Sequence, residues 1–385
     1  MTTNNLYLDI HIIQSVPPSC INRDDTGSPK SAIYGGVRRS RVSSQAWKHA
    51  ARENFKNYLN TDELGERTLV AVDRIASKIH ELRPDIETGT AKDLAVKTLT
   101  ASGIKVKEPK VKEGEEKATG PVTEYLLFLS HRQIINLAKL GIESNDSGKS
   151  ITKKKAQAAI TNDHSIDIAL FGRMITTKPN TQKLNSDATC QVAHAISVHP
   201  ALTEFDYFTA RDDNRVKDTA EAEMIGTVEF TSSTLYRYAT INVPKLFEHL
   251  GSLDAACRAV EAFLACFTLS MPTGKQNTFG NRTRPELVMV SIREDQPVNF
   301  VGAFEKAIKS DSGYGEKAVI KLAQHAVRED TDYGTDPVAV RYFVSGSAAT
   351  SEAKSELDKY GTFGTFQDIR NFAVDSVKNR LGSPE

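Results

Sequence analysis

Ala32-Ile33-Tyr34-Gly35-Gly36-Val37-Arg38-Arg39-Ser40-Arg41-Val42-Ser43-Ser44-Gln45-Ala46-Trp47-Lys48-His49-Ala50-Ala51-Arg52 carries a glycine pair, three arginines within four residues and two serines directly into an apolar-periodic segment. Glycines let the chain turn tightly and come close to a ligand, so Gly35-Gly36 marks a turn with that capacity. Ser43 and Ser44 are good N-cap residues and predict a helix start. On that helix Trp47, Ala50, Ala51, Phe55 and Tyr58 recur at spacings of three or four and form a core face. Gln45, Lys48 and Arg52 follow the same spacing on another face. Free N–H groups and the positive dipole end at a helix start, with cations before and beside it, make a phosphate-binding arrangement. The same residues also read as a solvated basic face beside a turn, and both readings stay open here.

The rest of the chain narrows the choice. Its 385 residues hold 49 basic and 49 acidic side chains, for a formal net charge of zero. A nucleic-acid role must therefore rest on local clusters and not on an overall positive coat. Hydrophobic residues at 39% and charged residues at 25% describe an ordinary globular protein. The four cysteines, Cys20, Cys190, Cys257 and Cys266, form no CxxC pair and read as reduced thiols, which together with the absence of a secretory leader or long apolar run predicts a cytoplasmic protein.

In chain order, Leu6, Leu8, Ile10 and Ile12 alternate with Tyr7, Asp9 and His11, as in a half-buried strand that Pro17-Pro18 ends. After the loop Cys20 to Lys30 and the opening stretch, Leu64 to Ile79, Thr90 to Ala101, Glu124 to Leu140 and Ile151 to Ile160 read as helices. They are broken by a mixed-charge linker from Lys105 to Lys117. Lys149, Lys153, Lys154 and Lys155 form a second basic cluster, either an exposed helix face or a contact for a nucleic-acid backbone. Asp167 to Met174 is a buried-type run ending in Gly-Arg-Met, followed by a polar loop, and Gln191 to Val198 reads as a strand in which His194 is structural. A polar excursion from 199 to 226 then interrupts two strand signals. Its aromatic knot, Phe205, Tyr207 and Phe208, either anchors this arm or meets bases of a partner. Strands at Val228 to Phe230, Leu235 to Val243 and Leu287 to Ile292 follow, with helices at Leu246 to Leu250, Leu253 to Leu269, Phe300 to Ile308, Lys317 to Ala326 and Asp368 to Leu381. The order strand, helix, insertion, strand, arm, strand, helix, strand predicts an α+β fold with an RRM-like or ferredoxin-like core.

No fingerprint of a hydrolase, zinc protease, P-loop or dinucleotide site is present, so no catalytic residue, metal or cofactor is assigned. Asp24-Asp25 is a turn with a local salt bridge, or a weak Mg²⁺ candidate. What remains is two basic glycine-bearing loops, Gly35 to Arg41 and Thr273 to Arg282, a cationic helix stripe and an aromatic arm. Cations hold phosphates without reading sequence and aromatic side chains meet unstacked bases, which points to single-stranded RNA. A metal-dependent ribonuclease using Asp24 or Asp213 is the competing reading, and a phosphate-ligand enzyme using the glycine turn a third.

Several blocks then resemble one family. Ser19 to Asp25, Ala32 to Gln45, Asp167 to Met174, Ala193 to Ile196, Asp206 to Thr209, Tyr236 to Asn242, Gly274 to Gln276 and Leu287 to Val290 are similar to blocks of the CasC family, the Cas seven type backbone subunits of the type I-E CRISPR Cascade complex. The resemblance implies a right hand: an RRM-like palm (1–60, 181–198 and 227–385), helical fingers (61–180) and a β-hairpin thumb (199–226). It implies a non-enzyme that multimerises along a CRISPR guide RNA, kinks it at intervals and presents bases to target DNA in an R-loop. The other partners would be the large, small, Cas five type and guide-processing subunits. By resemblance, Arg23, Ser43, Gln45, Lys48 and Arg52 hold guide phosphates, Met174 is a base wedge, and Phe208 and Thr209 belong to the thumb. Arg38, Arg39, Arg41, Lys275 and Gln276 join the RNA-binding set from the basic loops, and Lys149, Lys153, Lys154 and Lys155 lie near a helix used against DNA backbone. His49 departs from the family at a position that is basic there.

Overall fold

A computed structural model describes residues 5–109, 120–175, 184–209 and 225–382. The linker from residue 110 to 117, the loop 176–183 and the arm residues 210–224, Asp213 among them, lie outside the described residues. The chain divides into two compact units. One comprises residues 1–54, 192–242 and 260–385, the other residues 55–191 and 243–259.

The first unit is built on a mainly antiparallel sheet. Across it lie Thr362–Phe363, Ala339–Val344, Leu287–Arg293, β1 (Tyr7–Ser19), Ile225–Asn242, Ala195–Ser197, β3 (Val37–Val42) and β2 (Ser31–Tyr34). The pairing of Ala339–Val344 with Thr362–Phe363 is parallel. β1 sits between Leu287–Arg293 and Ile225–Asn242, antiparallel to both, with Ile10 opposite Ala239 on one side and Val290 on the other. Helix α1 (Ser44–Asn54) follows β1, and helix Leu253–Leu269 follows the long strand. This is the predicted split pattern, in which the strand after each helix lands beyond a neighbour of the strand before it.

Alternation along β1 is real, but the half-buried reading is corrected. Leu8, Ile10, Ile12, Asp9 and His11 are all fully buried. One face, with Ile12 opposite Arg237, meets Trp47 of α1 and Phe267 of helix Leu253–Leu269. The other face, carrying Asp9, His11 and Ile13, is covered by Phe300, Phe304 and the apolar side of helix Gly315–Tyr333. His11 stacks on Phe300 with ring centroids 4.8 Å apart, and its Nδ1 lies 3.0 Å from the Tyr236 hydroxyl. The prolines do not end β1 either. It continues to Ser19 with a register shift after Val16, as expected where two residues lack N–H donors at a strand's end.

Arg237 is fully buried, and the groups it donates to are uncharged. Its guanidinium lies 3.7 Å from the Trp47 ring centroid, donates to Gln14 Oε1 at 2.5 Å and also donates to the Phe267 carbonyl. Burial depresses its pKa to about 9, so it stays charged at neutral pH.

In the second unit, helices Ala71–Leu82, Thr88–Ser102, His131–Ser147 and Lys153–Thr161 enclose a core of Ile75, Ile79, Leu94, Leu99, Ile134, Leu137 and Ile160. Two predicted helices begin too early. Gly65–Thr68 and Leu127–Ser130 are strands paired with each other. Leu127-Phe128-Leu129 is a short apolar run with no helical period, and the helix starts only after the Ser130/Gln133 capping box. Residues 243–259, read as palm from sequence, belong to this unit. Among the described residues, no helix is long and apolar enough to cross a membrane.

Two measurements test this packing. Arg237→Ala removes a large buried side chain and strands two acceptors, so urea unfolding should show a loss of about 3–5 kcal/mol. His11 is held from 6.5 down to about 3 by burial, then by Arg293. Below pH 6.5 the unfolded chain takes up a proton that the fold refuses, so His11 subtracts stability as pH falls. The stability of His11→Gln minus that of the parent should therefore rise on acidification from pH 6.5 to 4, by at most about 1.4 kcal/mol per pH unit.

Candidate functional site

The loop after β1 is folded back on itself at the start of α1. Lys30 N donates to the Asn22 carbonyl at 2.9 Å, Arg23 bridges Pro29, and Arg41 N donates to the Lys30 carbonyl at 2.9 Å. Asn22 Oδ1 accepts from Ser43 N at 2.9 Å, while Ser43 Oγ accepts from Ala46 N at 3.3 Å and caps the helix. A third segment closes on the same place. A Cβ on Gly274 would lie 2.5 Å from the Ile21 carbonyl oxygen and 2.7 Å from that of Cys20, so only glycine fits there. Lys275, the next residue, is left-handed at φ 50°. The Cys20 thiol, pushed up by burial, feels the opposing fields of Arg23 and Lys275.

Arg23, Lys275 and Gln276 thus flank the Cys20–Asn22 loop, which Asn22 ties to Ser43 at the start of α1. Gln45 is exposed there, and Lys48 and Arg52 are half-buried with partners inside the protein. Arg41 borders this group, with Nη1 3.0 Å from His194 Nδ1, and burial followed by Arg41 and Lys30 lowers the pKa of His194. Asp24 closes its own turn: Oδ1 accepts from Thr26 N at 3.0 Å, Thr26 Oγ1 at 2.7 Å and Ser28 N at 3.0 Å. The Thr26 bond, more than any other group, holds its carboxyl below the usual range.

The arm is a hairpin of Glu204–Thr209 against Ile225–Phe230. Phe230 at its base lies 5.8 Å, centroid to centroid, from Phe279 in the basic loop. Phe205 and Tyr207 are 61% and 74% exposed. Phe208 lies over Gly226, where a Cβ would be 2.2 Å from its ring. In the second unit Met174 is 78% exposed, and Lys149, Lys153, Lys154 and Lys155 are all exposed, with Lys155 paired to Glu143 at 2.6 Å.

The sequence profile of the CT1975-like protein family matches residues 8–369. The chain belongs to the CT1975-like protein family. Its fold is similar to a chain of a solved "CRISPR RNA-guided surveillance complex, pre-nicking", with a TM-score of 0.81 and 30% identity over 96% of this chain and 100% of that one. A chain of a second "CRISPR RNA-guided surveillance complex" gives 0.70 and 27% identity, covering 96% and 99%. No curated protein matches significantly.

Two expectations are corrected in this CT1975-like protein. Gly35 (φ 58°) and Gly36 (φ 76°) do make a tight turn, between β2 and β3, but the close approach at Gly35 is to the protein itself. A Cβ there would lie 1.7 Å from the Glu305 carbonyl oxygen. Arg39 is fully buried and donates to the carbonyls of Tyr34, Ser197, Phe304 and Glu305 at 2.9–3.3 Å, so it cannot face RNA. Arg38, one residue earlier on the strand, is exposed. Sequence reasoning missed Asn22 and Gly274, which fix the loops. Their signal was their place beside the basic residues, in the blocks Ser19 to Asp25 and Gly274 to Gln276 that carry the resemblance.

The contrast is testable by thermal or urea unfolding. Arg39→Ala should lower stability by at least about 2 kcal/mol, because several buried carbonyls lose their donor. Arg38→Ala should stay within about 0.5 kcal/mol of the parent.

Proposed function

We propose that this CT1975-like chain is a non-catalytic backbone subunit of a CRISPR RNA-guided surveillance complex, of the CasC, type I-E kind, acting in the cytoplasm. Copies of it line up along one guide RNA, hold its phosphates at the start of α1, kink it with the arm and Met174, and leave bases free to pair with target DNA. The observation that carries the reading is the superposition of nearly the whole chain on a chain of such a complex at 30% identity. The basic and amide groups around the Cys20–Asn22 loop, tied by Asn22 to Ser43 at a helix start, support it, since N–H groups, a dipole and cations suit phosphate oxygens. The lysines of the second unit would lie against DNA backbone. Asp24 supports the non-catalytic part of the reading, because one carboxylate oxygen already takes three local hydrogen bonds.

Lys48→Ala with Arg52→Ala tests the phosphate role. Guide affinity should fall by a similar factor for unrelated spacers, and the slope of log K against log salt should become shallower by about 1.4 for two lost contacts to a single strand. Strongly unequal losses between spacers would sink the idea. RNA copurified from the native host and sequenced should be repeat–spacer RNA.

A further inference from the structure

Met174 stands in solvent between two buried neighbours, Arg173 at 5% and Ile175 at 9% exposure. Its mount is fixed on both sides. Before it, helix Ile166–Phe171 ends at Gly172, whose φ is 75° and whose added Cβ would lie 2.8 Å from the Ser186 carbonyl oxygen and 2.9 Å from Ala188 N. Across from it, Arg173 and Ser186 exchange both backbone hydrogen bonds at 2.8 and 2.9 Å, and Ile175 N donates to Asn185 Oδ1 at 2.7 Å. Beneath it, the Arg173 guanidinium makes five hydrogen bonds of 2.9–3.2 Å. Its acceptors are the Leu184, Phe128 and Ile160 carbonyls and Gln133 Oε1. They come from strand Leu127–Ser130, helices His131–Ser147 and Lys153–Thr161, and the returning segment at Leu184.

These acceptors are uncharged, so this buried cation forms no ion pair through them. Its planar fork satisfies several converging carbonyls from one point, which a lysine's compact ammonium cannot do. One side chain thereby fixes the path of the three residues that hold Met174 outward. A flexible apolar side chain on such a mount is arranged to insert between unstacked bases, and an insertion of this kind needs its support preorganised.

We propose that Arg173 is the positioning residue for Met174, setting where and how sharply a bound guide RNA is unstacked without touching the RNA itself. The inference rests on the reading of the chain as a guide-RNA backbone subunit. The test assembles the full-length chain on a repeat–spacer RNA and maps 2′-hydroxyl acylation along it. The parent should show reactive nucleotides recurring at a constant interval. Met174→Ala should flatten those peaks at least threefold. Arg173→Lys should flatten them to the same degree with overall RNA affinity within twofold of the parent, and the double variant should add nothing further.

Circular dichroism verifies that Arg173→Lys folds. If it does not, Asn185→Ala, which loosens the same mount from an exposed position, takes its place with the same expectation. Peaks unchanged in the Arg173→Lys variant, or losses that add in the double variant, would overturn the positioning role and leave the proposed function standing. Peaks unchanged in Met174→Ala would overturn it as well, because there would be nothing to position. A parent without recurring peaks would remove the backbone-subunit reading, and this inference with it.

Discussion

Arg237 is the point at which the sheet-bearing unit is tied together. Its guanidinium lies face-on to Trp47, near Phe267, and bonds Gln14, so one cation joins β1, the long central strand, α1 and the following helix. A desolvated cation without a carboxylate is expensive, and aromatic faces and carbonyl dipoles are what offset it. The position of α1 follows from this clamp, because Trp47 is its main buried residue. With α1 placed, its start is held by Asn22, and the Gly274 loop packs on the backbone just before Asn22 and brings Lys275 near Arg23.

The same device recurs. Arg39 draws the β2–β3 hairpin onto the carbonyls of Phe304 and Glu305, and Arg173 gathers three elements of the other unit. Arg293 is the variant with acids: fully buried, it takes both oxygens of Asp330 at 2.6 Å and lies 3.6 Å from Asp9. Arginine suits this work because its donors lie in one rigid plane and it keeps its charge when buried.

That habit explains how far the sequence could be read. Local signals were legible. The alternation of β1, the serine start of α1, the core face at Trp47 and Ala51, and the strand signals flanking the arm all depend on neighbours in the chain. What could not be read depends on distant residues. Arg38 and Arg39 are chemically alike and adjacent, and only the strand's pleat and the remote Phe304 and Glu305 carbonyls decide which one is interior. Gly35-Gly36 looked ready for a ligand because nothing nearby reveals that Glu305 fills the space. Asp9 and His11 looked solvent-facing because their cover, Phe300 and helix Gly315–Tyr333, is nearly three hundred residues away. The strand Ala339–Val344 went unread although Val340, Tyr342 and Val344 alternate inward along it; it pairs with Leu287–Arg293.

Under the proposed function, the covered second face of the sheet also limits how RNA could be held. An RRM offers bases a sheet surface bearing aromatic side chains that stack on them. Here the corresponding aromatics, Tyr236 and Tyr238 beside His11, are buried under Phe300 and Phe304. That surface is closed to nucleic acid. In the proposed function, RNA contacts would come from the loops around α1 and from exposed projections, and those carry cations, amides and a few apolar side chains. Such groups grip phosphates and separate bases without reading them. In the proposed function this is the requirement itself, since a guide whose base edges were consumed by its protein could not pair with a target.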